Sequence, residues 1–203
     1  MQLILPNKIK GFTLIEVLWT ILLVSLTTGG FFYLYHSAET SRLVSIAKAE
    51  VQSEVRRAMD CIVNDVRQTV SWSIGSKSNN PLSTHIKFQR VAGYNTSGSG
   101  SATLGNFIEY TFDPDADTIT RTDLGTNQSF VFRNIIQVSF STRIWDVAEQ
   151  VYEEVAIDPM NPGEDSPLFT SPSANLVIDI RGQKQIGASN INYNLKQETA
   201  IRI

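Results

Sequence analysis

The sequence predicts an α+β protein in which a long N-terminal helix, its first half transmembrane, packs on an antiparallel β-sheet head. The run from Phe12 to Tyr35 is apolar apart from one formal charge, and roughly 24 helical residues span about 36 Å, more than a hydrocarbon core of about 30 Å. Apolar residues then recur every three or four positions as far as Val70, which is the period of a helix. From Ser71 onward apolar and polar residues alternate, which is the period of a strand.

The one charge in the apolar run is Glu16, and an unpaired carboxylate inside a membrane would cost several kcal/mol. A short leader with Lys8 and Lys10 and no acid precedes the run. The positive-inside rule therefore predicts a cytoplasmic N-terminus and a head on the other side of the membrane. Gly11 lies at the basic-to-apolar boundary, whereas an ordinary secretory signal is cut after its apolar region. Cleavage after Gly11 would leave the apolar helix on the mature chain.

The segment in which Gly11 is followed by Phe-Thr-Leu-Ile-Glu-Val-Leu, behind a short basic leader, resembles the class III leader of type IV pilins and type II secretion pseudopilins. The resemblance covers about the first 30 residues and implies a pilin-like fold. It implies that a prepilin peptidase, which is also a methyltransferase, cuts after Gly11 and methylates the new amine of Phe12. It also implies that Glu16 takes part in filament assembly.

The physical reason for this arrangement is charge pairing. Cleavage creates an ammonium on Phe12 in an apolar place, and the carboxylate of Glu16, one helical turn along, can neutralise it in the same or a neighbouring subunit. A one-turn stagger between subunits then becomes the favoured register. The alternative interpretation is a plain membrane anchor, in which Glu16 is uncompensated or reaches the near interface.

The second half of the helix is predicted to be amphipathic, because its apolar positions form one stripe and the charged positions, Asp65 among them, fall mostly off it. The stripe consists of Leu43, Ala47, Val51, Val55, Met59, Ile62, Val66 and Val70. No proline interrupts the helix, and Gly29 and Gly30 are the one place where it could bend. The predicted organisation is a leader (1–11), a transmembrane or filament-core helix (12–35), an amphipathic helix (36–70) and a β-rich periplasmic head (71–203).

Within the head, the clearest prediction is a hairpin around the turn 113–117, which joins two alternating segments. Its strands carry Ile108, Tyr110 and Phe112 on one side of the turn and Ile119 and Arg121 on the other. Further strands are predicted at Ile86, Phe88 and Arg90, at Phe130 and Phe132, at Ile136, Val138 and Phe140, and at Leu176, Ile178 and Ile180, the last pairing with 193–203. The segments 95–105 and 158–173 are predicted to be loops.

Few residues of the head suggest chemistry. Asp113, Asp115 and Asp117 have the spacing of the first ligands of a calcium loop, but Thr118 stands where glycine is expected and Leu124 where the distal glutamate is expected. These aspartates are weak metal candidates, and a solvated turn is the favoured interpretation. The paired acids at 153–154 and 164–165 are predicted to be solvated loop residues.

The remaining reactive side chains do not form a catalytic set. Cys61 is predicted to be an unpaired structural cysteine just off the apolar stripe, His36 an interfacial residue, and His85 a residue at the start of a strand. No phosphate loop, metal-ligand spacing or nucleophile elbow is found in the sequence. A net charge of −3 does not indicate a nucleic-acid surface. We therefore expect no enzyme activity and no cofactor.

The resemblance then implies a structural role. Segments such as 56–60, 65–68 and 200–203 look like those of the larger minor subunits, the J-type pseudopilin and the W-type minor pilin. The expected function is a minor pseudopilin near the tip of a type II secretion pseudopilus, which promotes filament assembly and protein secretion. Its expected partners are the prepilin peptidase, other minor and major pilins or pseudopilins, and the bacterial inner membrane, from which the periplasmic filament is drawn.

Two alternatives remain open at this stage. One is a minor type IV pilin that initiates pilus assembly, or that acts as a tip adhesin or a DNA-uptake binding module through its loops. The other is a periplasmic enzyme or sensor on a simple anchor, which predicts that Glu16 can be replaced by leucine without consequence.

Overall fold

The computed structural model describes residues 12–76, 84–94, 102–146, 150–156 and 175–200. The chain divides into two compact units, Met1–Ser45 and Ile46–Ile203, which are described separately. Within the described residues, one helix, α1 (Leu14–Arg67), is accompanied by nine strands in two antiparallel sheets. The predicted α+β class, with a long apolar N-terminal helix, is confirmed.

The buried face of α1 belongs to the second unit and follows the predicted stripe. From Ala47 onward this face is made of Ala47, Val51, Val55, Ala58, Met59, Ile62, Val63 and Val66. Leu43, the first predicted member, is 46% exposed. Gly29 and Gly30 are both helical, so no break interrupts the helix there.

The helix ends at Arg67, three residues before the predicted Val70. Gln68 forms a turn in which its backbone N–H donates to the Asp65 carbonyl at 3.2 Å, and its own carbonyl accepts from the Val91 N–H at 2.9 Å. The chain therefore enters strand pairing at once, because Thr69 already pairs with Arg90. The prediction was wrong here because periodicity continued past a point where tertiary hydrogen bonds favour a strand.

The strands are β1 (Thr69–Ser76), β2 (Thr84–Tyr94), β3 (Ala102–Asp113), β4 (Thr118–Asp123), β5 (Gln128–Arg133), β6 (Ile135–Asp146), β7 (Val151–Ala156), β8 (Asn175–Ile186) and β9 (Ser189–Ala200). In the described part of the chain most strands pair with the next strand along the chain, whereas β6 pairs with both β7 and β8. One sheet has the order β1-β2-β3-β4-β5 and the other has the order β7-β6-β8-β9.

The predicted single sheet is therefore two sheets, and the chain passes from one to the other at Asn134. This residue has a φ of 61°, a left-handed conformation that asparagine tolerates better than most residues. The crossing is fixed by hydrogen bonds on both sides: the Ile135 N–H donates to the Asp117 carbonyl, and the Gln183 N–H donates to the Asn134 carbonyl, both at 2.9 Å. Alternation alone could not reveal this change, because the pattern continues across it.

Register decides which side chains are buried. The predicted hairpin is confirmed, with Phe112 opposite Ile119, and Ile180 pairs with Leu195 as expected. In β6, however, Ile135 is buried in place of the predicted Ile136. A register shift between Ile135 and Gln137 against β8 explains the difference, because a bulge moves one residue out of the alternation.

One predicted loop is partly a strand. Within 95–105, residues 102–105 begin β3, with Ala102 opposite Tyr94 and Leu104 opposite Val91. Backbone pairing with β2 thus overrides the glycine- and serine-rich composition. Residues 95–101 and the predicted loop 158–173 lie outside the described residues.

The helix lies close to β8 at Gly182. The buried valines of α1 belong to one apolar cluster that also contains side chains of both sheets. A Cβ atom added to Gly182 would lie 2.6 Å from Val55 Cγ2, 2.7 Å from Val51 Cγ1 and 3.0 Å from the Asn134 carbonyl oxygen. Glycine at 182 is therefore what lets the helix and the sheet pack at this distance.

We expect Gly182→Ala to destabilise the head by about 1–3 kcal/mol, because side chains or backbone must shift to admit the methyl group. Thermal unfolding of the full chain in detergent measures the change. Gly93→Ala is the matched control, since nothing lies within 4 Å of a Cβ atom built there. Adding Val55→Ala should recover part of the loss in Gly182→Ala; equal midpoints for Gly182→Ala and Gly93→Ala would contradict the close packing.

Candidate assembly segment and buried ion cluster

The carboxylate of Glu16 caps the start of α1. The Thr13 backbone N–H donates to Glu16 Oε2 at 3.1 Å, and the Thr13 hydroxyl donates to the same oxygen at 3.2 Å. In return, the Glu16 backbone N–H donates to Thr13 Oγ1 at 3.4 Å. This reciprocal pair is a capping box, which satisfies N–H groups that have no partner within the helix. The uncut chain thus already gives Glu16 a local role.

The predicted assembly residues lie at this cap. Phe12 is 82% exposed and adjoins Thr13, while Gly11 lies outside the described residues. In the uncut chain the Phe12 nitrogen belongs to a peptide bond and carries no charge, so its pairing with Glu16 stays a prediction. Sequence reasoning missed the capping box, although the signal was present as threonine followed three residues later by glutamate.

Within the described part of the first unit, the helix from Leu14 to Tyr35 has an exposed apolar surface. The large apolar side chains from Leu14 to Tyr35 are all exposed, and in the described part of the chain α1 is the one helix long and apolar enough to cross a membrane. The hydroxyls of Thr20, Ser25 and Thr27 donate to carbonyls of the same helix at 2.8–2.9 Å. These three hydroxyls therefore have partners within the helix and would need none from water in an apolar medium.

In the head, a cluster of charged side chains surrounds Asp65, which is 4% exposed. Its Oδ2 accepts from the Tyr110 hydroxyl at 2.6 Å and from Arg121 Nε at 2.8 Å. Its Oδ1 accepts from Arg121 Nη2 at 3.3 Å and lies 3.6 Å from Arg90 Nη2. The last turn of α1 is thereby tied to three strands, β2, β3 and β4. A buried carboxylate needs such partners, because its desolvation is costly.

Sequence analysis placed Asp65 off the apolar stripe and missed this cluster. The available signal was in the hairpin, where Tyr110 and Arg121 stand opposite each other among apolar residues of one face. Burial, followed by the Asp65 carboxylate, raises the pKa of Tyr110 well above its usual range. The hydrogen bond to Asp65 raises the pKa of Arg121 further. The cluster therefore keeps Asp65 bonded to a neutral phenol and a charged guanidinium. This arrangement stabilises the packing of the last turn of α1 against strands β3 and β4.

A groove of about 500 Å³ adjoins the cluster, between α1 and strands β4 and β5. It is lined by Arg57, Cys61, Asn64, Asp65, Arg121, Phe130 and Phe132. Arg57 lies over the Phe132 ring, 5.1 Å from its centroid, while Phe130 is 50% exposed. The groove thus combines aromatic surface with guanidinium groups.

Cys61, which is half-buried in this groove, is a free thiol as predicted. Burial, followed by the nearby Asp65 carboxylate, raises its pKa above the ordinary value of 9.0. Near pH 9 the folded chain should then hold less thiolate than the unfolded chain, and the thiolate is the form that reacts. We expect slower alkylation by iodoacetamide in the folded chain than in urea, measured by intact mass, since the sequence has one cysteine.

The control for this prediction moves the thiol to an exposed position of the same helix, in the double variant Cys61→Ser with Ser53→Cys. Its alkylation rate near pH 9 should change much less on unfolding. Equal rates for the folded wild-type chain and this variant would contradict the raised pKa of Cys61.

The other predicted residues are placed apart from one another. Among the described residues, no three His, Cys, Asp or Glu side chains gather where they could hold a metal. Asp113 Oδ1 accepts from the backbone N–H groups of Asp115 and Ala116 at 3.0 and 3.4 Å, and Asp117 has a φ of 52°. These are features of a turn. His36 is exposed on α1, and His85 lies in the first residues of β2.

The prediction for 153–154 was wrong, because these residues lie in β7 and not in a loop. The Glu154 carboxylate accepts from Lys196 Nζ at 2.7 and 2.8 Å and from the Ser141 hydroxyl at 2.6 Å. The Lys196 ammonium lowers the pKa of Glu154, and the Ser141 hydrogen bond adds to the effect. The acids at 164–165 lie outside the described residues.

Comparison with known proteins adds no relative: no protein-family model matches the chain, and no curated protein or solved structure does. The candidate functional features are therefore those of the chain itself. They are the capped apolar helix start with Glu16, and the head surface around the Asp65 cluster and its groove.

Proposed function

We propose that the chain is a pilin-like filament subunit, a minor pseudopilin that acts near the tip of a type II secretion pseudopilus and promotes its assembly. A prepilin peptidase cleaves it after Gly11 and methylates Phe12. The long helix then anchors it in the bacterial inner membrane, with a cytoplasmic N-terminus and a periplasmic head, until it enters the filament.

The observation that carries this proposal is the position of Glu16. It is the only formal charge between Phe12 and Tyr35 and lies directly behind the Gly11-Phe12 boundary. A carboxylate serves as the partner of an ammonium that exists only after cleavage, and such a pair in apolar surroundings fixes the register of neighbouring helices. The capping box supports this by holding the carboxylate at the very start of the helix.

The uncovered apolar surface of the first unit supports the same proposal. Its side chains are exposed along the whole run, so they need either lipid or neighbouring helices to cover them. A filament core of packed helices would provide this cover after the subunit leaves the membrane. The internally bonded hydroxyls of Thr20, Ser25 and Thr27 fit both surroundings.

The second candidate is a minor type IV pilin that initiates pilus assembly or binds a surface or DNA at the tip. It shares the processed N-terminus and the Glu16 pairing, and it differs in the machine served. Deletion of the gene in a strain that has both systems separates the two: loss of secreted protein with intact pili supports the pseudopilin, and loss of pili with intact secretion supports the pilin.

Mass spectrometry of the mature N-terminus tests the processing step. We expect the chain that is co-expressed with a prepilin peptidase to begin at a methylated Phe12, because the peptidase would cut at the basic-to-apolar boundary. The chain expressed without the peptidase is the control and should keep Met1. An intact Met1 in the presence of the peptidase, or a cut near Ala38 after the apolar run, would reject the proposal.

A further inference from the structure

The aromatic side chains of α1 are concentrated at one end of its apolar run. Four of the five aromatic residues of the helix are Phe31, Phe32, Tyr33 and Tyr35, and each of them is 71–74% exposed. Successive helical positions differ by about 100° around the axis, so these rings surround the helix and do not form one face. Whatever covers them must therefore contact the helix from all sides.

The polarity of the side chains increases along this short segment. The two phenylalanines come first, the two tyrosines follow, and His36 and Ser37 begin the polar part of the helix. The Thr20 hydroxyl, inside the run, donates to a carbonyl of its own helix, but a tyrosine hydroxyl lies at the tip of its ring, too far from that backbone. It needs water or a lipid headgroup, while the ring itself is apolar. Tyrosine is enriched at membrane–water interfaces for this reason.

The position of the tyrosines along the helix fits the thickness of a bilayer. The helix begins at Leu14, and at a rise of about 1.5 Å per residue Tyr33 lies about 28 Å farther along it. A hydrocarbon core measures about 30 Å. Tyrosines that lie at one interface therefore bring the start of the helix to the other interface.

We propose that Tyr33 and Tyr35 bind the headgroup region of the phospholipid bilayer at its periplasmic face and so fix the depth of the helix. A bilayer interface surrounds the helix and offers a hydrated layer beside an apolar one, as the order of these side chains requires. With this end fixed, Glu16 lies about 5 Å inside the cytoplasmic boundary, and the boundary between Gly11 and Phe12 reaches the membrane surface. The inference rests on the membrane anchorage in the proposed function and adds what sets its depth.

The test measures the depth of a spin label in bilayers of different thickness. A nitroxide is attached to the full chain with Ser37→Cys, and Cys61→Ser removes the other thiol. The chain is reconstituted in dimyristoleoyl-, dioleoyl- and dierucoyl-phosphatidylcholine vesicles. The ratio of the label's collision rates with oxygen and with a water-soluble nickel chelate reports its depth. Because anchored tyrosines stay at the interface as the bilayer thickens, we expect this ratio to change less than twofold across the three lipids.

Two double variants of the labelled chain separate the tyrosines from apolarity in general. Tyr33→Leu with Tyr35→Leu keeps the run apolar but removes the amphipathic rings, so both ends of the helix then adjust to the bilayer. The collision ratio should change at least fivefold between the thinnest and the thickest bilayer. Phe31→Leu with Phe32→Leu is the matched control, and its ratio should change less than twofold, as in the wild type.

Equal dependence on bilayer thickness in the wild type and the tyrosine variant would overturn the proposal. Equal loss of a constant depth in the two double variants would also overturn it, because aromatic bulk would then be the cause. Quenching of Trp19 fluorescence by brominated lipids, with Trp19→Phe as the control, reports insertion of the helix separately. Quenching together with a label that follows bilayer thickness rejects the tyrosine anchor alone, whereas absence of quenching in all three lipids rejects the membrane anchorage as well.

Discussion

Replacing Glu16 with leucine should abolish entry of the subunit into filaments and leave membrane insertion intact. If the chain is processed as proposed, Glu16 is the only formal charge in the apolar run that can neutralise the ammonium on Phe12, and without it each incoming subunit would bury an unpaired charge. A loss of at least 1.4 kcal/mol per subunit corresponds to at least a tenfold loss in assembly. The measurement is the number of filaments, or the cross-linked fraction of the subunit, in cells that carry the whole machine.

Glu16→Gln separates charge pairing from helix capping. Glutamine serves as well as glutamate at this position of a capping box, so the variant keeps the bonds to Thr13 but has no charge. We expect it to fail in assembly as severely as Glu16→Leu. Alkaline phosphatase fused to the C-terminus checks in both variants that the head still crosses the membrane.

Two outcomes would contradict this explanation in different ways. Normal assembly of Glu16→Leu would show that the helix is a simple anchor. Normal assembly of Glu16→Gln, together with failure of Glu16→Leu, would show that Glu16 acts through the capping box and not through its charge.

Replacing Asp65 with asparagine should produce the largest loss of head stability. The variant keeps the shape of the side chain but leaves Arg121, whose side chain is 14% exposed, without its counter-charge. Breaking a buried ion pair by removing one partner costs about 3–5 kcal/mol. For a domain of this size, that lowers the unfolding midpoint by about 6–20 °C, which calorimetry or near-ultraviolet circular dichroism of the full chain in detergent can measure.

An exposed ion pair of the same head provides the control. Glu198 lies 2.7 Å from Arg143, with about a third or more of each side chain exposed. Glu198→Gln should therefore cost less than about 1 kcal/mol. A midpoint for Asp65→Asn equal to that of Glu198→Gln would contradict the role of the Asp65 cluster.

A triple variant tests whether the cost comes from the unpaired charge itself. Asp65→Leu, Arg121→Met and Tyr110→Phe together remove the charges and the buried hydroxyl. Buried ion pairs replaced by packed apolar residues are often neutral in stability, so this variant should unfold closer to the wild type than Asp65→Asn does. A lower midpoint for the triple variant would indicate that packing, and not charge, dominates at this place.

Much of the fold follows from the spacing of apolar residues along the sequence. The stripe from Ala47 to Val66 and the alternation at 108–112 each predicted a buried face that the structure contains, because burial of apolar side chains dictates those periods. The predictions were wrong where another interaction determined the local structure in place of apolar burial. The end of the helix at Arg67, the bulge after Ile135 and the strand at 102–105 were all decided by backbone hydrogen bonds to distant segments.

The candidate sites divide in the same way. Glu16 is visible in the sequence because its anomaly is local, a charge in an apolar run, and its capping partner is three residues away. Asp65 is not visible, because its partners Tyr110 and Arg121 are 45 and 56 residues away along the chain.

The sequence by itself determined the α+β class, the apolar helix, its one carboxylate and the boundary at Gly11, because each depends on neighbouring residues or on a short period. Only the tertiary structure decided that the described part of the head has two sheets joined at Asn134, that Asp65 is buried beside Arg90 and Arg121, and that β5 is the last strand of its sheet there. These features depend on pairings between segments that are far apart in the sequence, and the free energies of such pairings cannot be inferred from a local sequence pattern.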